Sequence, residues 1–514
     1  MSHGYPRWFA KQTPDKPAVT MYPSGAQLTF AEMEAQANRF AHFLRSTGLR
    51  AGDRIAFRLE NRIEVFPFAW GAQRAGMIYV AISNKSSFDE VSFILENSGA
   101  SVLLCSAKDN QDMLGKISET CAGHMRLLGL GTMPAGWDDW HEVLNKFPTY
   151  PIEDECCGTD MLYSSGTTGR PKGIYTEIDP AKPVDEMPSV ASLGLKFFRM
   201  SSDTIYLSPA PIYHAAPLRF SMAVQYLGGT VVMLEKFDAE DVLRAIEKYK
   251  ITHAQFVPTH FHRLLDLPPE TRKSYDISSL QFVIHAAAPC PVETKRQMIE
   301  WWGAIIEEYY SSSEGTGFTY INSADWLQHV GSVGRPLIGI VRICDENGNE
   351  VPTGTEGYIY FENARPFSYY GDDSKTAEST NQHGWRTIGD IGWVDADGFL
   401  YLTDRKSFMI ISGGVNVYPQ EIENLLITHP KVRDVAVIGT PDRDLGEKVT
   451  AIIELYDHDQ ADDATAAELM TFTRAHLGGV KVPRRIEFDP ALPRTDTGKL
   501  LKRKLRDAYW QRES

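Results

Sequence analysis

Cysteine is scarce here: Cys105, Cys121, Cys156, Cys157, Cys290 and Cys344 are the only six in 514 residues. No two stand in a C-x-x-C spacing, which excludes a zinc ribbon and a thioredoxin-like motif. The vicinal Cys156-Cys157 reads as an ordinary reduced pair, with a redox pair as the alternative. An excess of basic residues is also missing. Lys and Arg number 52 against 67 Asp and Glu, a net charge of −15. That is the wrong sign for the basic footprint of a nucleic-acid protein. No uncharged apolar run approaches the roughly 18–20 residues a membrane helix needs. The opening MSHGYPRWFAKQTPDKP has no apolar signal core. These absences predict a soluble, cytoplasmic protein and leave peripheral membrane contact and a homodimer open. Short repeats and low-complexity tracts are absent too.

What is present is globular: 43% hydrophobic residues with 23% charged is far from a disordered composition. At roughly 100–200 residues per domain the length predicts two to four units. Such a chain can bury a large core without disulfide or metal staples. Residues 28–48 begin as a strand and continue as an amphipathic helix, with Phe40, Phe43 and Leu44 at helical spacing. A buried strand is predicted over 54–59, a helix over 65–76 and a strand over 77–82. Strand-like runs recur at 100–104, 204–207, 230–234, 253–257 and 282–285. This alternation predicts an α/β fold with parallel strands. Near residue 405 the character changes: helix 421–428, strand 432–438, strand 448–455, helix 465–476 and strand 485–488. That is a small α+β unit of about 110 residues. The predicted division is a large domain of α/β subdomains over 1–405 and a small mobile domain over 406–514.

The strongest local signal is YSSGTTGRPKG at 163–173. Small residues let backbone N–H groups approach an anion, hydroxyls add donors, and Lys172 adds positive charge. This predicts a phosphate-cradling loop, against the plain alternative of a flexible surface loop. It is not a Walker A loop, because Gly173 follows Lys172 where that motif needs Ser or Thr.

The string resembles the signature of the adenylate-forming, AMP-binding superfamily: acyl-CoA synthetases, adenylation domains of peptide synthetases and firefly-type luciferases. Further matches follow in that superfamily's order. YYSSSEG at 309–315 resembles its aromatic-x-x-[TS]-E element, and GWRTIGDIG at 384–392 its ribose-binding element. YLTDRKSFMIISGGVNVYP at 401–419 resembles the hinge and glycine-rich element, and PRTDTGK at 493–499 the C-terminal lysine loop. The likeness runs from about residue 28 to 505, and closest to it stand the bacterial fatty-acyl-CoA synthetases and acid–CoA ligases.

The resemblance implies ATP, Mg²⁺ and coenzyme A as cofactor and substrates, and it implies a role for each motif residue. Ser164, Ser165, Gly166, Thr167, Thr168, Gly169 and Lys172 would cradle phosphates. Glu314 would hold Mg²⁺, a hard cation that takes a carboxylate together with phosphate oxygens. Ser313 would contact phosphate or the acid's carboxylate. Tyr310 would stack on adenine beside the backbone of Ala286, Ala287 and Ala288, and Asp390 would accept from the ribose diol. Arg405 would contact ribose or the α-phosphate. Lys499 would be the catalytic lysine, stabilising charge that develops on the α-phosphate. His214 would border the acid's carboxylate and gate its pocket. Outside that context the bland readings are a solvated Glu, a core Tyr, an Asp–Arg surface pair, a structural His and, for most of the five basic residues of 499–506, a solvated face. Ser412, Gly413 and Gly414 would face the pantetheine channel, and the hinge would lie at Lys406-Ser407.

There are departures from the superfamily pattern. Ser164 replaces a usual Thr, Ile388 stands where Thr is frequent, Ser311 where Gly is common, and Ser407 where Asp or Lys is frequent. None removes a group the chemistry needs. No carrier domain follows the lysine loop in this sequence. With SGGVNVYPQEIE and HAAAPCPVE, that favours coenzyme A as acceptor over an assembly-line role. The expected acid-pocket residues are His214, Phe220, Val224, Phe256, Ala286, Ala287 and Ser312. They are mainly apolar and offer no partner for an α-amino group. They suit a fatty, aryl-alkanoic or steroid-type acid. A stand-alone ligase loading an acyl carrier protein is the alternative. A non-catalytic relative is disfavoured because Lys499 and Glu314 are both present.

Overall fold

The computed structural model describes residues 4–121, 123–164, 171–405, 408–413, 415–443, 445–477, 479–494 and 500–512. It divides into two compact units. The first comprises Met1–Phe256, Leu267–Val283 and Pro366–Thr376, the second Val257–Asp266, Ile284–Arg365 and Ala377–Ser514.

In the first unit, parallel strands arise where the chain has short, fully buried apolar runs. One set orders His253–Phe256, Ile205–Ser208, Thr230–Leu234 and Pro17–Tyr22, with Gln27–Thr29 antiparallel at its edge. The other orders Thr159–Ser164, Ile78–Ala81, Arg54–Arg58, Val102–Ser106, Arg126–Leu130 and Asp138–Asp139 in parallel. Lys172–Tyr175 and Ser368–Tyr369 extend it antiparallel. The helix Phe30–Ser46 starts at a capping box in which Thr29 and Glu32 satisfy each other's backbone N–H. Its buried face includes Phe40, Phe43 and Leu44, as the spacing predicts. The helix Val65–Arg74 packs against it at Gly71. A Cβ there would stand 2.7 Å from the carbonyl oxygen of Ala37, so only glycine permits the approach.

His253 is buried in this unit. Its ring nitrogens lie 2.8 Å from Thr252 Oγ1 and 2.9 Å from the Phe198 carbonyl. Burial, partly offset by the backbone carbonyl, pulls its pKa down to about 4. The unfolded chain takes up this proton near pH 6.5 and the folded one does not. The neutral ring therefore supports the fold above about pH 6.5, and that support drains away as pH falls toward 4. The expected loss is about 3 kcal/mol at about 1.4 kcal/mol per pKa unit. Thermal unfolding followed at pH 7 and pH 4.5 checks it. His253→Gln is expected to flatten the fall, and an unchanged fall contradicts the assignment.

The second unit carries an antiparallel ladder that the apolar pattern does not announce. Its order is Ile340–Cys344, Gly357–Glu362, Asp390–Val394, Leu400–Arg405, Ser332–Ile338, Phe318–Ile321 and Ile306–Ser311. The same unit holds the α+β region. Val415–Val417, Ile410–Ser412, Gly446–Leu455 and Val432–Asp442 are antiparallel, and Arg485–Phe488 runs parallel to Gly446–Leu455. The helices Pro419–Leu426, Asp463–His476 and Lys502–Arg512 complete it. The strand expected over 432–438 runs on to Asp442, where it turns and pairs with Gly446. Pro441 and Asp442 hid that extension. None of the cysteines is in a disulfide, and Cys156 and Cys157 are buried. Among the described residues no helix is long and apolar enough to cross a membrane.

Candidate active site

In the second unit the strand Ile306–Ser311 delivers Tyr310 and ends in the serine turn. Gly315, at φ +69°, closes that turn by donating its N–H to the Ser312 carbonyl at 3.1 Å. Ser311 Oγ donates to the Gly317 carbonyl at 2.7 Å, and Ser312 Oγ lies 3.4 Å from Thr316 Oγ1. Two of the three serines thus pin the turn, and Ser313 and Glu314 sit partly exposed at its tip.

Tyr310 and Asp390 are 80 residues apart in sequence and hydrogen-bonded in space, the phenol donating to Asp390 Oδ2 at 2.7 Å. Both are buried. The Tyr310 ring lies near-parallel to Phe361, centroids 6.3 Å apart. Asp390 opens its strand after a turn in which the Gly389 N–H donates to Thr387 Oγ1 at 3.0 Å. The strand Leu400–Arg405 returns beside it in a register that makes Asp390 and Arg405 direct cross-strand partners. The segment after the strand Phe282–His285 holds Ala287 at φ +76°, a left-handed conformation unusual for alanine. Holding it costs about 1–2 kcal/mol, strain of the kind that clusters at ligand-binding segments. Ala286 is buried, Ala288 partly so, and Ala287 exposed.

Beneath this segment lies a charged cluster that the apolar reading did not single out. Lys295 Nζ meets Glu308 Oε2 at 2.6 Å, with both side chains buried. The ammonium also lies 4.8 Å from the Trp326 ring centroid. His285 Nε2 is 3.5 Å from the same carboxylate oxygen. Burial, then the Lys295 charge, pushes the His285 pKa well below its usual value, so the ring is neutral. The pair ties the helix Val292–Trp302 to the strand that carries Tyr310.

A cavity of about 240 Å³ opens here, lined by Ala287, Ala288, Tyr309, Tyr310, Ser311 and Asp390. Its wall also includes His262, Glu423, Asn424, Asp434, Arg494 and Lys502. Lys502 corrects one expectation: it is not on a solvated basic face but buried, its ammonium 2.8 Å from Glu423 Oε1. The signal was legible in hindsight. Glu423 shares the buried stripe of the helix Pro419–Leu426 with Ile422 and Leu426, where an unpaired charge would be costly.

The remaining expected residues fall as follows. In the first unit Lys172 opens the strand Lys172–Tyr175, pairs in register with Ser164 and places its ammonium 5.3 Å from the Tyr369 ring centroid. His214 is the N-cap residue of the helix Ala215–Tyr226, half-buried, with its ring 4.7 Å from Tyr213. Phe220 and Val224 lie on the buried face of that helix, Phe220 stacked on Phe198 at 6.1 Å, and Phe256 ends its strand in the core. In the second unit Ser412 is buried in the strand Ile410–Ser412, and the Gly413 N–H donates to the Leu445 carbonyl at 2.9 Å. Ser165, Gly166, Thr167, Thr168, Gly169, Lys406, Ser407, Gly414 and Lys499 lie outside the described residues. Among the described residues the group of side chains spaced to hold a metal ion is His329, Asp395 and Asp397, and it does not include Glu314. Asp395 there accepts from the Asp397 and Phe399 N–H groups and from Tyr401, which explains it as a turn anchor.

Comparison with known proteins shows the family. Residues 6–370 match the family described as AMP-binding enzyme, and residues 421–499 match the AMP-binding enzyme C-terminal domain. A feruloyl-CoA synthase of Amycolatopsis is 32% identical over 97% of this chain and 97% of its own. A fatty acid–[acyl-carrier-protein] ligase of Streptomyces coeruleorubidus is 30% identical over 98% of this chain and 95% of its own. Among solved structures, ATP-bound MatB from Rhodopseudomonas palustris superposes with a TM-score of 0.83. It is 27% identical, covering 98% of this chain and 99% of that one.

Proposed function

The chain belongs to the AMP-binding enzyme family, and from that premise we propose that it is an acid–CoA ligase for an apolar carboxylic acid. The observation that carries the reading is the hydrogen-bonded Tyr310–Asp390 pair on the wall of the cavity that Ala287 and Ala288 also line. A flat ring, a diol-accepting carboxylate and a strained backbone edge are the parts a nucleoside needs.

A carboxylate oxygen of the acid attacks the α-phosphorus of ATP. The bond from that phosphorus to the β-phosphate bridge breaks and pyrophosphate leaves. The thiol sulfur of coenzyme A then attacks the acyl carbon, its proton passes to solvent, and the acyl C–O bond breaks to release AMP. Tyr310, Ala287 and Ala288 hold the adenine, Asp390 and Arg405 the ribose, and the residues from Ser164 to Gly169 with Lys172 and Ser313 the phosphates. His214 borders the reacting carboxylate. Lys499 meets the charge growing on the α-phosphate. Glu314, a hard oxygen ligand at an open turn tip among serine hydroxyls, fits a Mg²⁺ site. When bound, that ion neutralises phosphate charge. Holding both reactants in line contributes about 7–11 kcal/mol at best. Residues 1–405 and 406–514 are the two moving parts, hinged at Lys406-Ser407. The first half-reaction uses Lys499 and the second uses Ser412, Gly413 and Gly414 beside the pantetheine arm.

Phe220, Val224, Phe256 and Ala286 favour a fatty, aryl-alkanoic or steroid-type acid. The similarity to a carrier-protein ligase supports a second reading, in which a carrier thiol replaces coenzyme A. A panel of fatty acids, cinnamates including ferulic acid, aryl-propionates, bile acids and amino acids separates them. Pyrophosphate release is read with and without coenzyme A, and the thioester by mass spectrometry. One apolar class should give acyl-CoA. Pyrophosphate without acyl-CoA favours the carrier protein, and silence across the panel defeats both.

A further inference from the structure

Residues 495–499 carry Lys499, and the chain on either side of them forms a stem. Arg494 and Leu500 face each other as an isolated antiparallel bridge. The Leu501 N–H donates to the Pro493 carbonyl at 2.8 Å. Each strand of this stem ends in an ion pair. On the incoming side Arg494 grips Asp434 with two nitrogens, Nε to Oδ2 at 2.7 Å and Nη2 to Oδ1 at 2.5 Å. On the outgoing side Lys502 Nζ meets Glu423 Oε1 at 2.8 Å, both side chains 8% exposed. The same Glu423 oxygen accepts the Val437 N–H at 2.6 Å. Lys502 Nζ also lies 5.5 Å from the Phe408 ring centroid. The outgoing strand is thereby tied at once to the helix Pro419–Leu426 and the strand Val432–Asp442.

Stability alone does not account for these pairs. A buried Lys–Glu pair is commonly no better than well-packed apolar residues of like size, because desolvation consumes the attraction. The Arg494–Asp434 pair is partly exposed and contributes little to folding energy. What a bidentate fork and a carboxylate oxygen that accepts from both an ammonium and a backbone N–H supply is direction. All four side chains line the cavity that also holds Tyr310 and Asp390. The stem therefore borders the space in which the nucleotide is proposed to sit.

We propose that Arg494–Asp434 and Lys502–Glu423 are positioning pairs, which aim Lys499 at the α-phosphate by fixing both strands of the stem that carries it. This rests on the acid–CoA ligase reading and on Lys499 acting in its first half-reaction only. Two ion pairs that act through Lys499 then govern adenylation and leave thioester formation alone.

The test uses the full chain, with ferulic and dodecanoic acids for adenylation and preformed feruloyl-AMP and dodecanoyl-AMP for the second half-reaction. The variants are Asp434→Asn and the double replacement Glu423→Gln/Lys502→Met, which removes both buried charges together so that neither is stranded. Single-turnover pyrophosphate release should fall about tenfold to hundredfold, the cost of a misplaced catalytic group. Thioester formation from the preformed adenylates should stay within about twofold, since the pairs act through Lys499 alone. Lys502→Arg should recover more adenylation than Lys502→Met. In a Lys499→Ala background the double replacement should cost nothing further, the signature of groups acting through one another. An equal fall in both half-reactions, or an unchanged adenylation rate, overturns the positioning role. If the unmodified protein adenylates neither these acids nor any in the panel, the ligase reading itself fails, and the inference with it.

Discussion

Replacing Lys499 by alanine is expected to slow pyrophosphate release by about a hundredfold to a thousandfold, the range for removing one donor aimed at developing transition-state charge. The α-phosphate gains negative charge as the acid's oxygen adds and pyrophosphate departs, and an ammonium delivered there counts most at that instant. Thioester formation from a preformed acyl-adenylate should persist, because its leaving group is already AMP and it draws on Ser412, Gly413 and Gly414 instead. Single-turnover assays of each half-reaction check this. Equal losses in the two would show that Lys499 supports the small domain as a whole rather than one step.

Asp390→Ala should be the most damaging change on the described cavity wall. A ribose diol donating twice to a carboxylate gains about 1.5–3 kcal/mol per bond, so kcat/KM for ATP should fall about a hundredfold or more. The KM for the acid should stay nearly constant. Tyr310→Phe offers the graded counterpart. It keeps the ring and removes only the hydroxyl that donates to Asp390 Oδ2 at 2.7 Å. One bond to that same carboxylate is worth about 1.5–3 kcal/mol, so the expected fall is about tenfold to a hundredfold. Steady-state kinetics with ATP varied at saturating acid give both numbers. An unchanged ATP KM in Asp390→Ala would remove that carboxylate from the nucleotide site.

The parallel strands of the first unit were legible because each is short and buried on both faces. The strand Ile78–Ala81 and the strand Val102–Ser106 are buried at every position. The antiparallel ladder of the second unit was not, because several of its strands are only partly buried. The strand Gly357–Glu362 alternates between partly and fully buried residues, and the strand Ser332–Ile338 is buried only at its start. An apolar count passes over both. The motif residues stood out because short strings such as YYSSSEG and GWRTIGDIG are local. Their meeting is not local: nothing in either string says that Tyr310 will donate to Asp390. Charged residues in the core were the hardest to foresee. Lys295, Glu308, Glu423 and Lys502 each read as surface residues until a partner distant in sequence is known, and the partner is chosen by packing.

The central claim is that an acyl-adenylate forms on this protein, and oxygen-18 follows it directly. The acid that the panel selects is labelled at both carboxyl oxygens and turned over with ATP, Mg²⁺ and coenzyme A, and the mass of the released AMP is read. Attack of the carboxylate on the α-phosphorus places one of its oxygens in AMP, so AMP heavier by a single label is the predicted result. Unlabelled AMP, or ADP in its place, would contradict the account.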